Sequence, residues 1–245
     1  MPDIKTTAIV TGASRGFGRG IAAALTDAGA QVVGVARDRE GLAGVRAELG
    51  ESFTPVTGDA ADPGVAGRLI DQYQPGLLVL NAGATPLPRA IQRHTWETFG
   101  RNWEVDVRHA FEWVREALLA PLAPGSTVIT MSSGAALAGS PLSGGYAGAK
   151  AAIRFLTAYA AAESGRDGLG IRFVSVLPQI TSATALGATF VAAYAARAGN
   201  PGTGPAPGPE LTTAQAGAAI LALASDATLD QPAYLLTAAG LRPAA

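Results

Sequence analysis

The tightest constraint on the fold is a regular alternation of short apolar strands and helices that starts near the N-terminus. Thr7–Thr11 reads as a strand, Gly12–Gly18 as a turn, and a helix follows to about Ala28, where Gly29 stops it. Further strands are expected at Gln31–Ala36, Phe53–Thr57, Leu77–Leu80, Thr127–Met131, Ile171–Leu177 and Ala233–Thr237. Helices over Leu42–Leu49, Thr95–Leu119, Gly144–Ser164 and Leu211–Ser225 fall between them, with Thr95 placed as an N-cap and Pro121 just past the end of its helix. Strands this apolar are buried on both faces. The pattern therefore predicts an α/β chain, a doubly wound, mostly parallel sheet with helices on both faces. Ligands bind such sheets beyond the carboxyl ends of the strands, near the point where strand order reverses.

Composition narrows the classes. The chain has 245 residues, about half of them apolar, and a mean hydropathy of +0.24. Alanine carries most of that hydropathy, and no run approaches the roughly 20 apolar residues of a membrane span. Met1–Lys5 carries an acid and a base, with no apolar signal core. A formal net charge of −1 gives no sign of a nucleic-acid partner. The lack of cysteine excludes disulfides, thiolate metal sites and cysteine nucleophiles, and fits the cytoplasm. With two histidines, no metal site is expected. Gly199–Pro209 is rich in Gly and Pro and reads as a linker or a flap. It is too short and too close to the C-terminus to separate two domains, so residues 1–245 are read as one dinucleotide-binding and catalytic domain with a substrate flap at about 182–210.

Two local patterns carry chemistry. Thr11-Gly12-Ala13-Ser14-Arg15-Gly16-Phe17-Gly18 sits between a strand and a helix. Glycines there let the backbone approach a pyrophosphate, and the helix N-terminus offers N–H groups and a favourable dipole. Tyr146 and Lys150 stand four residues apart, so on a helix they share a face, and Ser133 lies thirteen residues before the tyrosine. Taken singly, each pattern has a plain structural reading: a tight turn, a core tyrosine, a solvated lysine, a turn serine.

Taken in order, they resemble the compact, single-domain short-chain dehydrogenase/reductase family, a Rossmann-type fold. The resemblance rests on T-G-x-x-x-G-x-G at Thr11–Gly18, Asp59 after the third strand, Asn81-Ala82-Gly83 after the fourth, Ser133 after the fifth and Tyr146-x-x-x-Lys150. Leu223-Ala224-Ser225-Asp226 also matches the family's segment before the last strand. The match spans nearly the whole chain.

The resemblance implies a nicotinamide cofactor. Its phosphates would lie on Gly12, Ser14, Arg15, Gly16, Phe17 and Gly18. Asp59 would contact the adenine with Ala60 beside it, although Asp59 can also serve as a helix cap; Asp62, followed by Pro63, is the better cap. Asn81, Ala82 and Gly83 would pack on the cofactor, and Pro178, Gln179, Ile180 and Thr181 would lie near the nicotinamide. The acid that grips an NAD ribose should end the second strand, where Ala36 stands instead. Arg37 follows, and with Arg15 it can clamp a 2′-phosphate, which favours NADP(H). If the strand runs further, Asp38 takes the ribose and NAD(H) is favoured.

In the family's chemistry Tyr146 gives a proton to a carbonyl oxygen or takes one from an alcohol. Lys150 favours the phenolate and holds the nicotinamide ribose, and Ser133 hydrogen-bonds the substrate oxygen. Aligned through Val105-Asp106-Val107, Asp106 replaces the family's network asparagine. A backbone role survives that change, while a charge near Lys150 can strengthen its protonation or disturb the relay. Pro178-Gln179 replaces a Pro-Gly pair, with Gln179 either offering its amide to the substrate or stiffening the loop. Leu235–Leu241 lacks the usual acidic, double-glycine ending.

Pocket walls are expected from Gly134–Ser143, Gln179–Leu186 and Thr189–Pro209, with Leu137, Leu142, Leu186, Phe190 and Tyr194. That apolar lining suits a neutral or hydrophobic carbonyl or alcohol. Arg89, Arg93 and His94 form a basic patch that reads as a solvated rim or as a contact for an acidic substrate group. Phe99, Trp103, Val107, Ala110, Val114 and Leu118 form a core stripe on the first long helix, with Trp113 on another side as an interface candidate and His109 structural. Family members pair through their long helices, so a homodimer or homotetramer is expected. The competing reading is a catalytically silent dinucleotide-binding regulator on the same fold.

Overall fold

In the computed structural model, residues 6–199 and 209–244 are described. The strands are β1 (Thr7–Thr11), β2 (Gln31–Ala36), β3 (Phe53–Thr57), β4 (Leu77–Leu80), β5 (Thr127–Met131), β6 (Arg172–Pro178), β7 (Ala233–Thr237) and β8 (Gly240–Pro243). They form one sheet in the order β3-β2-β1-β4-β5-β6-β7-β8, parallel throughout except for β8, which returns antiparallel to β7. The doubly wound, mostly parallel expectation holds. Strand order reverses between β1 and β4, which opens a crevice at their carboxyl ends.

The helices are α1 (Gly16–Asp27), α2 (Arg39–Leu49), α3 (Pro63–Tyr73), α4 (Trp96–Asn102), α5 (Arg108–Leu119), α6 (Ala135–Ala138), α7 (Gly145–Arg166), α8 (Ala185–Arg197) and α9 (Thr213–Ser225). Successive strand residues point to opposite faces, so each strand feeds two cores. Ala8 and Val10 share one core with Ile21 and Leu25 of α1 and Ile220 of α9. Ile9, paired with Val33 and Leu78, shares the other with Leu69 of α3 and Trp113 of α5. α1 and α9 approach closely because both carry glycine at the crossing. A Cβ on Gly20 would stand 2.4 Å from the Thr213 carbonyl oxygen, and one on Gly217 2.4 Å from that of Gly20.

Several expectations need correction. α2 starts at Arg39, three residues early, because the Asp38 side chain caps it by accepting from the Gly41 N–H at 2.9 Å. α3 was not foreseen as a helix, although Asp62 caps it and Pro63 opens it as read. The long helix over Thr95–Leu119 is broken: Trp103–Val107 forms a π-helical turn between α4 and α5. Thr95 does cap α4, within a capping box with Thr98. Trp103, expected in the core stripe, is 42% exposed. Trp113, an interface candidate, is fully buried and donates from Nε1 to the Ala60 carbonyl at 2.9 Å. Part of the segment read as a flap, about 182–210, is helix α8, capped by Thr184; residues 200–208 of it lie outside the described residues. Among the described residues no helix is long and apolar enough to cross a membrane.

Candidate active site

At the carboxyl ends of β1, β2, β4, β5 and β6 a cleft of about 680 Å³ opens. Its floor is set by Thr11, the last residue of β1. The Thr11 hydroxyl accepts from the Asn81 and Ala82 N–H groups at 2.9 and 3.1 Å and lies 3.1 Å from His109 Nε2. Asn81 returns a hydrogen bond from Nδ2 to the Thr11 carbonyl at 3.0 Å. The two strands that flank the reversal are therefore joined by side chains where the cleft begins. His109 had no signal in the sequence beyond its place on a helix, and it proves to be buried at this junction. Burial pushes its imidazole down to about 3, with the Lys150 charge adding to the effect. It is held neutral, a hydrogen-bond partner rather than an acid.

The glycine turn fits a dinucleotide pyrophosphate. Gly12 and Gly16 have φ of +68° and +56°, a region costly for residues with a Cβ. A Cβ on Gly12 would stand 2.9 Å from Asn81 Nδ2 and 3.0 Å from the Ala82 Cα. Helix α1 opens with no side-chain cap and no acidic residue in its first turn, so no carboxylate competes with an anion there. Gly12, Ser14, Arg15, Gly16 and Phe17 line the cleft. Gly18 does not; it packs beneath the turn, where a Cβ would meet the Gly12 carbonyl oxygen at 2.1 Å. Its place in the motif is explained by close packing rather than by direct contact with a ligand.

The other residues expected to take part in catalysis or to hold a cofactor line this one cleft: Arg37, Asp59 and Ala60; Asn81, Ala82 and Gly83; Asp106 and Ser133; Tyr146 and Lys150; Pro178, Gln179, Ile180 and Thr181. At the end of the cleft beside β2 and β3, Arg37 Nη1 lies 3.9 Å from Asp59 Oδ2, and its side chain is 70% exposed. Asp59 Oδ1 accepts from the Ala61 N–H at 3.0 Å. Asp38 also lines the cleft, with its carboxylate engaged at the N-terminus of α2.

At the other end, α7 delivers Tyr146 in its first turn and Lys150 one turn later, and both are buried. Lys150 Nζ lies 5.6 Å from the centre of the Tyr146 ring and donates to the Met131 carbonyl at 3.1 Å. It also lies 3.2 Å from Asp106 Oδ2. Burial pushes the ammonium down, but the Asp106 carboxylate, the Tyr146 phenol and the contact with Asp106 outweigh it, and Lys150 ends above the ordinary lysine value. The adjacent serines divide their work. Ser132 donates from Oγ to the Lys150 carbonyl at 2.7 Å and is buried, whereas Ser133 Oγ only accepts from the Ala135 N–H at 3.2 Å, leaving its own proton for the cleft.

The cleft wall beside Tyr146 is aromatic and hydroxylic. Phe190 of α8 lies 5.6 Å from the Tyr146 ring and stacks on Tyr194 at 6.1 Å. The Tyr194 hydroxyl pairs with Ser140, which also lies 3.0 Å from Ser143 Oγ. Leu186 lines the cleft with them. The expected Leu137 and Leu142 do not: Leu137 is 48% exposed, and Leu142 borders a separate shallow hollow with Pro88, Arg89, Ala90 and Arg93. Gln179 Nε2 reaches the Pro209 carbonyl at 3.4 Å, and Thr181 Oγ1 the Leu211 carbonyl at 2.7 Å, so this loop is tied to the segment that leads into α9.

A parallel α/β sheet with an anion cradle at one end of its cleft and a buried phenol–ammonium pair at the other defines an oxidoreductase of the dinucleotide-binding class. A family profile described as short chain dehydrogenase matches residues 6–194. The chain belongs to the short-chain dehydrogenase family. It is 30% identical to L-xylulose reductase of Homo sapiens over 177 residues, covering 71% of this chain and 72% of that one. It is 32% identical to carbonyl reductase [NADPH] 2 of Sus scrofa over 183 residues, covering 74% and 73%. Among solved structures, 3-ketoacyl-(acyl-carrier-protein) reductase from Brucella melitensis, complexed with NADH, superposes with a TM-score of 0.73 over 90% of each chain at 24% identity. That last likeness concerns the fold.

Proposed function

We propose that this protein is an NADP(H)-dependent reductase of neutral or hydrophobic carbonyl compounds, reversible to alcohol oxidation. The observation that carries the reading is the convergence of Ser133, Tyr146 and Lys150, from two stretches of chain, in the same cleft as the glycine turn. When bound, the nicotinamide supplies or accepts the hydride. Tyr146 passes a proton to the carbonyl oxygen or takes one from the alcohol. Ser133, with a free hydroxyl proton, hydrogen-bonds the oxygen on which charge develops. Lys150 has three N–H groups; Met131 and Asp106 engage two, and the third serves the nicotinamide ribose.

The choice of NADP rests on charge at the end of β2. Ala36 offers no carboxylate, Asp38 is engaged as a helix cap, and Arg37 and Arg15 both border the cleft. Two guanidiniums suit a 2′-phosphate through charge-assisted hydrogen bonds. Similarity to a reductase named for NADPH supports the same choice. The lining of Phe190, Tyr194 and Leu186 supports a neutral, apolar substrate. Phe111 and Leu119 on α5 and Phe155 and Tyr159 on α7 are large apolar residues left 47–67% exposed, which supports a homodimer or homotetramer joined through these helices.

The test is NADPH consumption across a panel of ketones and aldehydes, with Tyr146→Phe as control. Turnover that falls steeply in the variant while NADPH still binds is the expected result. Equal turnover in parent and variant, or no turnover by the parent despite tight cofactor binding, overturns the reading.

A further inference from the structure

Asp106 sits where the helix between β4 and β5 widens into the π-helical turn Trp103–Val107. The turn places Asp106, 1% exposed, beside Lys150, with 3.2 Å between the carboxylate and the ammonium. The other carboxylate oxygen is held firmly. Asp106 Oδ1 accepts from the Ala84 N–H at 2.7 Å and lies 3.4 Å from Asn102 Nδ2, and that same amide donates to the Ala84 carbonyl at 3.0 Å. Gly83 packs closely against the carboxylate; a Cβ there would stand 2.9 Å from Asp106 Oδ2. Oδ2 has no hydrogen-bond partner other than its contact with the ammonium. The carboxylate is thus fixed by one oxygen and aimed by the other.

We propose that Asp106 is a positioning residue whose carboxylate holds Lys150 against the Tyr146 ring and keeps its ammonium charged inside a buried site. The proposal rests on the reductase reading above. Three ionisable groups act on the ammonium: Asp106 from the π-helical turn, Tyr146 from α7 and His109 from α5. His109 is neutral and brings no compensating charge. Without a counter-ion, a buried ammonium sheds its proton readily. The Asp106 carboxylate, 3.2 Å away, opposes that effect of burial and raises the ammonium above the ordinary lysine value. The arrangement also makes the lysine a shared resource. Its charge is balanced within the protein before any cofactor arrives, so cofactor binding does not have to supply the counter-charge.

The chain makes this measurable, because Lys5 and Lys150 are its only lysines. In the full-length protein with NADP bound, ¹⁵N-lysine labelling gives two Nζ signals, of which Lys150→Met removes one. The Lys150 signal is expected to stay in the ammonium form throughout the range in which the enzyme works. In Asp106→Asn, which retains an acceptor for the Ala84 N–H, it should titrate at least about 1 pH unit lower. The alkaline limb of the kcat profile should move down by the same amount. A structural role alone would lower activity at every pH without moving the limb. An Nζ titration that Asp106→Asn leaves in place overturns the proposal, whatever the turnover. If that variant does not fold, a Lys150 amine already neutral below about pH 9 in the parent overturns it. Absence of Tyr146-dependent turnover in the parent instead overturns the reductase reading, leaving the Nζ result to stand by itself.

Discussion

The two ends of the cleft are built by different means. The glycine-turn end is made mostly of backbone, glycines at positive φ and the open N-terminus of α1, braced by the Thr11 hydroxyl that joins β1 to the chain after β4. The substrate end is made of side chains on helices, with Phe190 and Tyr194 of α8 set against Tyr146 of α7 and the Ser140–Tyr194 pair across them. A backbone cradle recognises what many ligands share, a phosphate. A wall of side chains recognises what distinguishes one substrate from another, and a single substitution there can change specificity without touching the fold. The ion pair of Asp106 and Lys150 stands beside Tyr146, with Lys150 Nζ 5.6 Å from the centre of its ring.

The largest expected effect separates the two ends outright. Tyr146→Phe removes one oxygen from the substrate side and should lower kcat about 10²- to 10⁴-fold, the range for loss of a general acid. NADPH affinity, measured by fluorescence titration, should change little because the cradle is untouched. A parallel loss of cofactor binding would show that the ends are not separable.

The next effect tests the junction beneath the cradle. His109 is neutral in the folded protein, with its value lowered to about 3, whereas in the unfolded chain it titrates near 6.5. The unfolded state therefore binds the extra proton first. The contribution from His109 is fully present above about pH 6.5 and falls as pH drops toward 3, by up to about 1.4 kcal/mol per pH unit. Urea unfolding between about pH 6.5 and 4.5 should show this slope in the parent, beyond the slope of His109→Asn. Identical slopes would mean that the imidazole is not shielded as described.

How much of this was legible in the sequence divides along the same line. Strand positions were legible because runs such as Thr7–Thr11 and Thr127–Met131 are apolar and bounded by turn residues. The cradle was legible because its chemistry is local, and Tyr146 and Lys150 because four residues make one helical turn. The pairing of Lys150 with Asp106 joins residues far apart in the chain; no spacing rule reports it, and only the alignment through Val105-Asp106-Val107 put that charge near the lysine. The π-helical turn was hidden because its one wider turn leaves the apolar pattern on either side nearly unchanged. β8 was missed because Gly240 and Pro243, at its two ends, are poor strand formers, and it sits at the sheet edge where such residues are tolerated. α8 was read as part of a flap because its neighbour, Gly199–Pro209, is rich in breakers; the Thr184 cap and an unbroken Ala185–Arg197 were the overlooked signals.

A finer comparison concerns Arg37 and Asp38, adjacent residues just past β2 with opposite charge. If Arg37 grips a 2′-phosphate, Arg37→Ala should cut the preference for NADPH over NADH about 10- to 100-fold, the weight of one charge-assisted hydrogen bond. Equal affinities for the two cofactors in the parent would defeat the assignment.

The smallest expected effect is the most discriminating, because it asks what Asp38 is for. Its carboxylate caps α2 through the Gly41 N–H at 2.9 Å. Asp38→Ala should therefore cost about 1 kcal/mol of stability, as loss of a helix cap does, and thermal unfolding measures it. Asp38→Asn, which can still cap, should restore most of that. If the cap is its whole role, neither variant lowers affinity for NADH, since no ribose contact is lost. A fall in NADH affinity in both variants, with stability unchanged, would reverse the roles: Asp38 would be the ribose ligand, Arg37 a surface residue, and the charge argument for NADP would fail at its first step.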